Sequence, residues 1–204
     1  MNKSIFISLE GVDGAGKSTH IQFIENYFRS NNLSFFMTRE PGGTTLGERL
    51  RSILLHDDMH PLTETLLMFA SRCEHINQII KPKLDSNTSV ISDRFTDATF
   101  AYQHGGKGID IKAIEFLKNI IQKDLEPDLT FLFDLPIEVS MDRLHKTRDM
   151  DRFEKEDQEF HQAIRSTYLK IAKNNPERFY VIDGTKSISD IQQEMNEVLN
   201  RFFS

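Results

Sequence analysis

Residues Gly11 to Ser18 read GVDGAGKS, a complete G-x-x-x-x-G-K-[ST] spacing. The residue types explain the chemistry of such a loop. Glycines let the backbone curl until several N–H groups converge on one anion. Lys17 brings a cation to the outer phosphates of a bound triphosphate, and the Ser18 hydroxyl can hold Mg²⁺. The flanks suit this use. Ile5-Phe6-Ile7-Ser8-Leu9 is a short apolar run of β type, and Ile21, Ile24, Tyr27 and Phe28 recur at helical spacing after the loop. A helix opening there adds its positive dipole end. Gly11, Val12, Asp13, Gly14, Ala15, Gly16, Lys17, Ser18 and Thr19 are therefore the expected site of a nucleoside triphosphate.

A phosphate loop alone does not say what becomes of the triphosphate. A GTPase-type switch reads guanine through N-K-x-D, and the chain has no such motif, nor a D-x-x-G downstream of the loop. A phosphotransferase needs a second, cationic pocket for an acceptor. Thr38-Arg39-Glu40-Pro41-Gly42-Gly43 and Asp93-Arg94-Phe95 each close a strand-like run. Pro41 fixes a turn, leaving Arg39 and Glu40 over the strand end. Asp93 can order Mg²⁺ or its water, and Arg94 can grip a phosphate through two N–H groups. Arg51 follows on the next helical stretch, and Phe69 and Arg72 share one helical face suited to a nucleobase.

These residues need a scaffold, and the pattern supplies one. Strand-like runs at 5–9, 34–38, 88–92, 129–134 and 178–182 alternate with amphipathic stretches at about 17–30, 45–55, 62–85, 95–103, 110–123, 136–146, 154–174 and 187–202. The alternation predicts an α/β fold with a five-stranded parallel sheet covered by helices on both faces. Ligands then gather outside the carboxyl ends of the strands, where the motifs fall. The stretch LHKTRDMDRFEKED at 144–157 is densely charged, so it is expected to bury little and to act as a mobile lid on a single domain spanning 1–204.

Composition sets the frame. The chain has 204 residues, 38% hydrophobic and 27% charged, as in an ordinary globular protein. A net charge of −6 disfavours nonspecific binding to nucleic acid or to an anionic membrane. Cys73 is the single cysteine and can form no internal disulfide. No leader-like segment or transmembrane-length apolar run is visible, so a cytoplasmic protein is expected.

In this order LEGVDGAGKST, TREPGG, FASR, DRFTDATFAYQ, PDLTFLFDL and the charged segment ending DRFEKED resemble the thymidylate kinase family over nearly the whole chain. The resemblance implies the P-loop nucleoside monophosphate kinase fold, ATP and dTMP as substrates, Mg²⁺, and a homodimer through long helices near the third strand. It implies that Asp13 meets the sugar and acceptor phosphate, and that Arg39, Arg51 and Arg94 line the dTMP site. Phe69 would stack on thymine, with Met68 as the alternative, because Phe69 stands three rather than four residues before Arg72. Arg72 would bond the thymine carbonyl, Thr99 and Gln103 the base edge, and Tyr102 would crowd the sugar C2′. Arg143 and Asp183-Gly184-Thr185 are the implied adenine neighbours. Glycine at position 14 places the chain with the bacterial type, in which a lid arginine, here Arg148 or Arg152, joins Asp13, Lys17 and Arg94 in catalysis. Other readings are another deoxynucleotide or nucleoside kinase, and a nucleotide-binding regulator without transfer chemistry.

Overall fold

The computed structural model describes residues 4–145 and 151–203. Five strands, β1 (Phe6–Glu10), β2 (Phe35–Arg39), β3 (Ser89–Asp93), β4 (Leu129–Asp134) and β5 (Phe179–Asp183), form one sheet in the order β2-β3-β1-β4-β5. Every pairing is parallel. The central strand is covered on both sides, and all five residues of β1 are buried, Ser8 and Glu10 among them. Neighbours in sequence then part company. Phe6 and Val90 join a cluster with Ile76, Ile80 and Phe95, whereas Ile7 and Ile91 join Ile24, Phe28, Phe131 and Ile182. Period-two alternation thus sends neighbouring residues of β1 and β3 to opposite faces of the sheet.

The flanking helices are α1 (Lys17–Ser30), α2 (Thr45–His56), α3 (Pro61–His75), α4 (Lys81–Asp85), α5 (Thr96–Thr99), α6 (Ile111–Ile121), α7 (Ile137–His145), α8 (Gln158–Asn174) and α9 (Ile188–Phe203). Their starts are locally encoded. Thr44 caps α2 by accepting from the Gly47 N–H at 2.9 Å, and Asp157 caps α8 by accepting from Phe160 N–H at 2.8 Å. The single helix expected over 62–85 is interrupted by a π-helical turn, Ile76–Ile80, and a second π segment, Phe100–Gly106, continues α5. Apolar spacing does not reveal such turns. In the second, a Cβ on Gly105 would collide with the Thr167 hydroxyl, so the missing side chain lets the segment press onto α8.

The parallel register brings the carboxyl ends of the strands level. Asp93 lies beside Leu9 on one side and Arg39 on the other, and Asp134 pairs with Asp183. The chain passes from β1 outward to β2 and, after β3, across β1 to β4, so a crevice opens at this end of the central strand.

One expectation is corrected. Over 151–157 the charged stretch buries more than its composition suggests: Phe153 and Glu154 are buried, and Phe153 belongs to the larger core cluster, while 146–150 lie outside the described residues. The charges find partners far away in sequence. Arg152 donates to Glu64 at 2.6 Å, and Lys107 lies 3.7 Å from Glu156. Asp151 also closes its own turn by accepting from the N–H groups of Phe153 and Glu154.

Candidate active site

Two clefts meet at the carboxyl end of β1. One is walled by the loop residues Asp13 to Thr19, with Asp93, Arg143, Gly184 and Lys186. The other is walled by Pro41, Leu55, Met68, Arg72, Thr99, Tyr102, Gln103 and Phe153. Asp13, Glu40, Arg51 and Arg94 line both.

The loop is held from behind. Gly14 has φ +78°, and a Cβ there would meet the Ser140 carbonyl oxygen at 2.5 Å. A side chain at 14 would be both strained and crowded in this chain, which suits the position to glycine. Ser140 Oγ donates to the Asp13 carbonyl at 2.6 Å. Lys17 is buried, and its ammonium donates to the carbonyls of Gly11 and Val12 at 3.0 and 3.1 Å. Burial and then Arg94 press its pKa down, against the pull of Asp13. Ser18 and Thr19 are exposed to the cleft, and Arg143 reaches across to the Gly184 carbonyl at 3.2 Å.

Arg94 is the hub between the clefts. Its Nη1 donates to the Gly11 carbonyl at 2.9 Å and Tyr168 Oη at 3.1 Å, and its Nη2 to Asp13 Oδ1 at 2.6 Å and Tyr102 Oη at 3.0 Å. Tyr102 in turn donates to Asp13 Oδ2 at 2.8 Å. Burial alone would raise the Asp13 pKa, but Arg94 and Lys17 hold it well below the usual carboxylate range. Arg94 also sits at φ +72°, an uncommon conformation for a side chain of that size. Beneath this hub lies Glu10, fully buried, accepting from Phe95 N–H at 2.7 Å and Tyr168 Oη at 2.8 Å. Burial, then repulsion from Asp97, pushes its pKa up to about 8.

On the far wall, Glu40 accepts from Arg72 Nε at 2.7 Å and bonds His75 Nδ1 at 2.8 Å, while His75 Nε2 bonds Thr38 Oγ1 at 2.7 Å. Burial works against the Glu40 charge, yet Arg72 and His75 keep its pKa low. Arg72 gives Nη2 to the Phe95 carbonyl at 3.2 Å, and its Nη1 is buried without a partner. An orphaned guanidinium N–H on a cleft wall calls for a ligand acceptor. Arg51 donates to the Pro41 carbonyl at 3.0 Å, and Arg39 pairs with Glu48 at 2.7 Å near the mouth.

The expected residues are mostly brought together here, with two differences among the described residues. Met68 lines the cleft, whereas the Phe69 ring is buried to 1% exposure under the Arg72 guanidinium, 5.0 Å from its centroid. One residue along a helix is a turn of about 100°, and the Arg72 side chain fills the space over the ring. Arg152, expected at the phosphates, instead pairs with Glu64 and the Leu54 carbonyl. Arg148 lies outside the described residues. Residues that sequence reasoning missed are Glu10, Glu64, His75 and Tyr168. Only Glu10, directly before the loop, carried a local signal.

The profile of the thymidylate kinase family matches residues 9–195. The chain belongs to the thymidylate kinase family. It is 52% identical over 196 residues to the thymidylate kinase of Cupriavidus necator, covering 95% of this chain and 97% of that one. It is 50% identical over 197 residues to that of Methylobacillus flagellatus, covering 97% of each. The crystal structure of thymidylate kinase from Ehrlichia chaffeensis shares the fold with a TM-score of 0.79 and 36% identity, over 97% of this chain and 99% of the other. The five-stranded parallel sheet flanked by helices is thus the P-loop nucleoside monophosphate kinase fold. No helix among the described residues is long and apolar enough to cross a membrane.

Proposed function

We propose that this thymidylate kinase family member transfers the γ-phosphoryl of ATP directly to the 5′-phosphate of dTMP, giving dTDP and ADP, at the junction of its two clefts. The observation that carries this reading is that Asp13, Arg51 and Arg94 line both clefts. Two phosphate ends can meet there within one cationic frame. The acceptor is already an anion, so a general base has little to do, and catalysis is positioning and charge neutralisation. Lys17 leaves the Gly11 and Val12 carbonyls for the triphosphate, Arg51 and Arg94 hold the acceptor phosphate, and Asp13 keeps Arg94 aimed. Closure of the segment near 144–157 excludes water and adds a cation. Arg148 is the candidate for that cation; for Arg152 the role requires release from Glu64.

Mg²⁺ fits the donors present. Asp93 Oδ1 is buried without a partner on the wall that also carries Ser18, and hard oxygen donors suit this ion. When bound, it neutralises charge between the outer phosphates.

The second cleft suits thymine. Arg72 offers an unpaired donor and Gln103 an amide, with Thr99 alongside and Met68 as the apolar platform. Phe69 acts from behind, fixing Arg72. Tyr102 is held by Asp13 and Arg94 where it can crowd a sugar C2′. A homodimer is supported by exposed Leu62 and Leu66 on α3 and Phe116 and Ile120 on α6, two helices that pack together. The chain is read as a single domain with a lid, and its lone Cys73 suits a reducing cytoplasm.

ADP release with ATP and Mg²⁺ across dTMP, dUMP, the ribose form of TMP, dCMP and thymidine tests this reading. Strong preference for dTMP, weaker use of dUMP and poor use of the ribonucleotide support it. Preference for thymidine or dCMP contradicts the acceptor assignment.

A further inference from the structure

We infer that Glu64 sets the base preference of the acceptor cleft by fixing which way the Gln103 amide points. The inference rests on reading that cleft as the base site. Glu64 is fully buried in the first turn of α3 and belongs to neither cleft wall. Its Oε1 accepts from Gln103 Nε2 at 2.9 Å, and its Oε2 accepts from Lys107 Nζ at 2.9 Å and Arg152 Nη2 at 2.6 Å.

A carboxylate facing two cations accepts hydrogen bonds and cannot donate them. The Gln103 amide must therefore turn its NH₂ toward Glu64, leaving its carbonyl oxygen for the cleft it lines. Gln103 is 1% exposed, so a reversed amide could not escape to water and would set two oxygens against each other. Arg72 presents the opposite character from the same cleft, an unpaired N–H donor. The wall thus reads donor at Arg72 and acceptor at Gln103. A thymine or uracil edge offers O4 as acceptor and N3–H as donor, which complements both. Cytosine offers an N4 amino donor and an N3 acceptor, so it opposes both.

Glu64 touches no substrate and is a positioning residue. The same carboxylate anchors Arg152, whose neighbour Phe153 lines the cleft and packs edge-on to Tyr102 at 5.9 Å. Base reading and the seating of the segment after the lid therefore share one buried charge.

The test is kcat/KM for dTMP and dCMP in the parent, Glu64→Gln, Gln103→Leu and the double variant, with dCMP read as a competitive inhibitor where its turnover is too slow. A glutamine at 64 both donates and accepts, so the Gln103 amide becomes free to turn. The dCMP-to-dTMP ratio is expected to rise about tenfold in Glu64→Gln, the scale of one reversed polar contact. In the Gln103→Leu background the same change at 64 moves the ratio no further. An unchanged ratio in Glu64→Gln, with Gln103→Leu still shifting it, overturns the inference and leaves the base reading standing. An unchanged ratio in Gln103→Leu overturns both. Should Glu64→Gln fail to fold, the side-chain amide of Gln103 in the native protein decides by NMR. One Nε2 proton protected from solvent exchange supports the role, and free exchange of both overturns it.

Discussion

Replacing Arg94 by lysine keeps a cation at the junction and removes the fork that holds it together. The guanidinium satisfies Gly11, Tyr168, Asp13 and Tyr102 at 2.6 to 3.1 Å through two nitrogens. A lysine ammonium is one point on a flexible stem and cannot span both sides. At least two of the four contacts are lost, and hydrogen bonds to a charged group contribute about 1.5–3 kcal/mol each. A loss of about 3 kcal/mol in transition-state stabilisation corresponds to about 10²-fold in kcat/KM. The positive φ costs arginine and lysine alike and cancels. Asp13 retains the Tyr102 hydroxyl and Lys17 at 4.0 Å, so the loss of fold stability should stay near the ~3 kcal/mol that two such contacts represent. Steady-state kinetics with each substrate varied, beside thermal unfolding, reads these separately. Arg94→Lys is expected to lower kcat and kcat/KM for dTMP by about 10²-fold while KM for ATP moves less than about threefold. A kcat within about threefold of the parent, or an ATP effect as large as the dTMP effect, refutes the reasoning.

Three further outcomes follow from the same geometry. Lys17→Ala should lower turnover by about 10³-fold or more with a stability loss of only about 1–2 kcal/mol, checked by ADP release and unfolding. Near-parent turnover would remove Lys17 from the chemistry. Glu10 has a folded pKa of about 8 against an ordinary 4.5, so the folded chain holds a proton that the unfolded chain releases between those values. Its contribution to stability therefore falls as pH rises through that window, by several kcal/mol in total, and Glu10→Gln should flatten the Tm profile there. A Tm profile unchanged by the substitution would contradict the burial assigned to that carboxyl. Asp93→Asn should raise the Mg²⁺ concentration for half-maximal turnover by about tenfold, and an unaltered requirement would free Asp93 of the metal role.

Where chemistry depends on adjacent residues, the chain was readable before its structure. The phosphate loop needs a strand, a glycine spacing and a helix in immediate succession, and all are local. Each of the five strands lies within one residue of its predicted bounds, because short β-branched and aromatic runs set off by polar residues have few other uses in a parallel sheet. Asp93 and Arg94 were legible as the residues closing a strand. What escaped are groups whose meaning depends on a distant partner. Glu64 and His75 look like ordinary polar positions on a long helix until Arg152, Gln103 and Glu40 arrive from elsewhere. Tyr168 likewise gains significance only from Glu10 and Arg94. Charge density misled at 151–157 for the same reason, since neutralising partners are invisible in a local window. The choice between Met68 and Phe69 turned on one residue of helical phase, which the nearby π-helical turns show to be variable in this chain.

The central claim is direct phosphoryl transfer between two bound nucleotides, and following the γ-phosphorus tests it most directly. With γ-labelled ATP, Mg²⁺ and dTMP, the account predicts label in the β-phosphate of dTDP, matched mole for mole by ADP, with none retained on the protein. Label recovered as inorganic phosphate, on a protein side chain or on thymidine in preference to dTMP would contradict it.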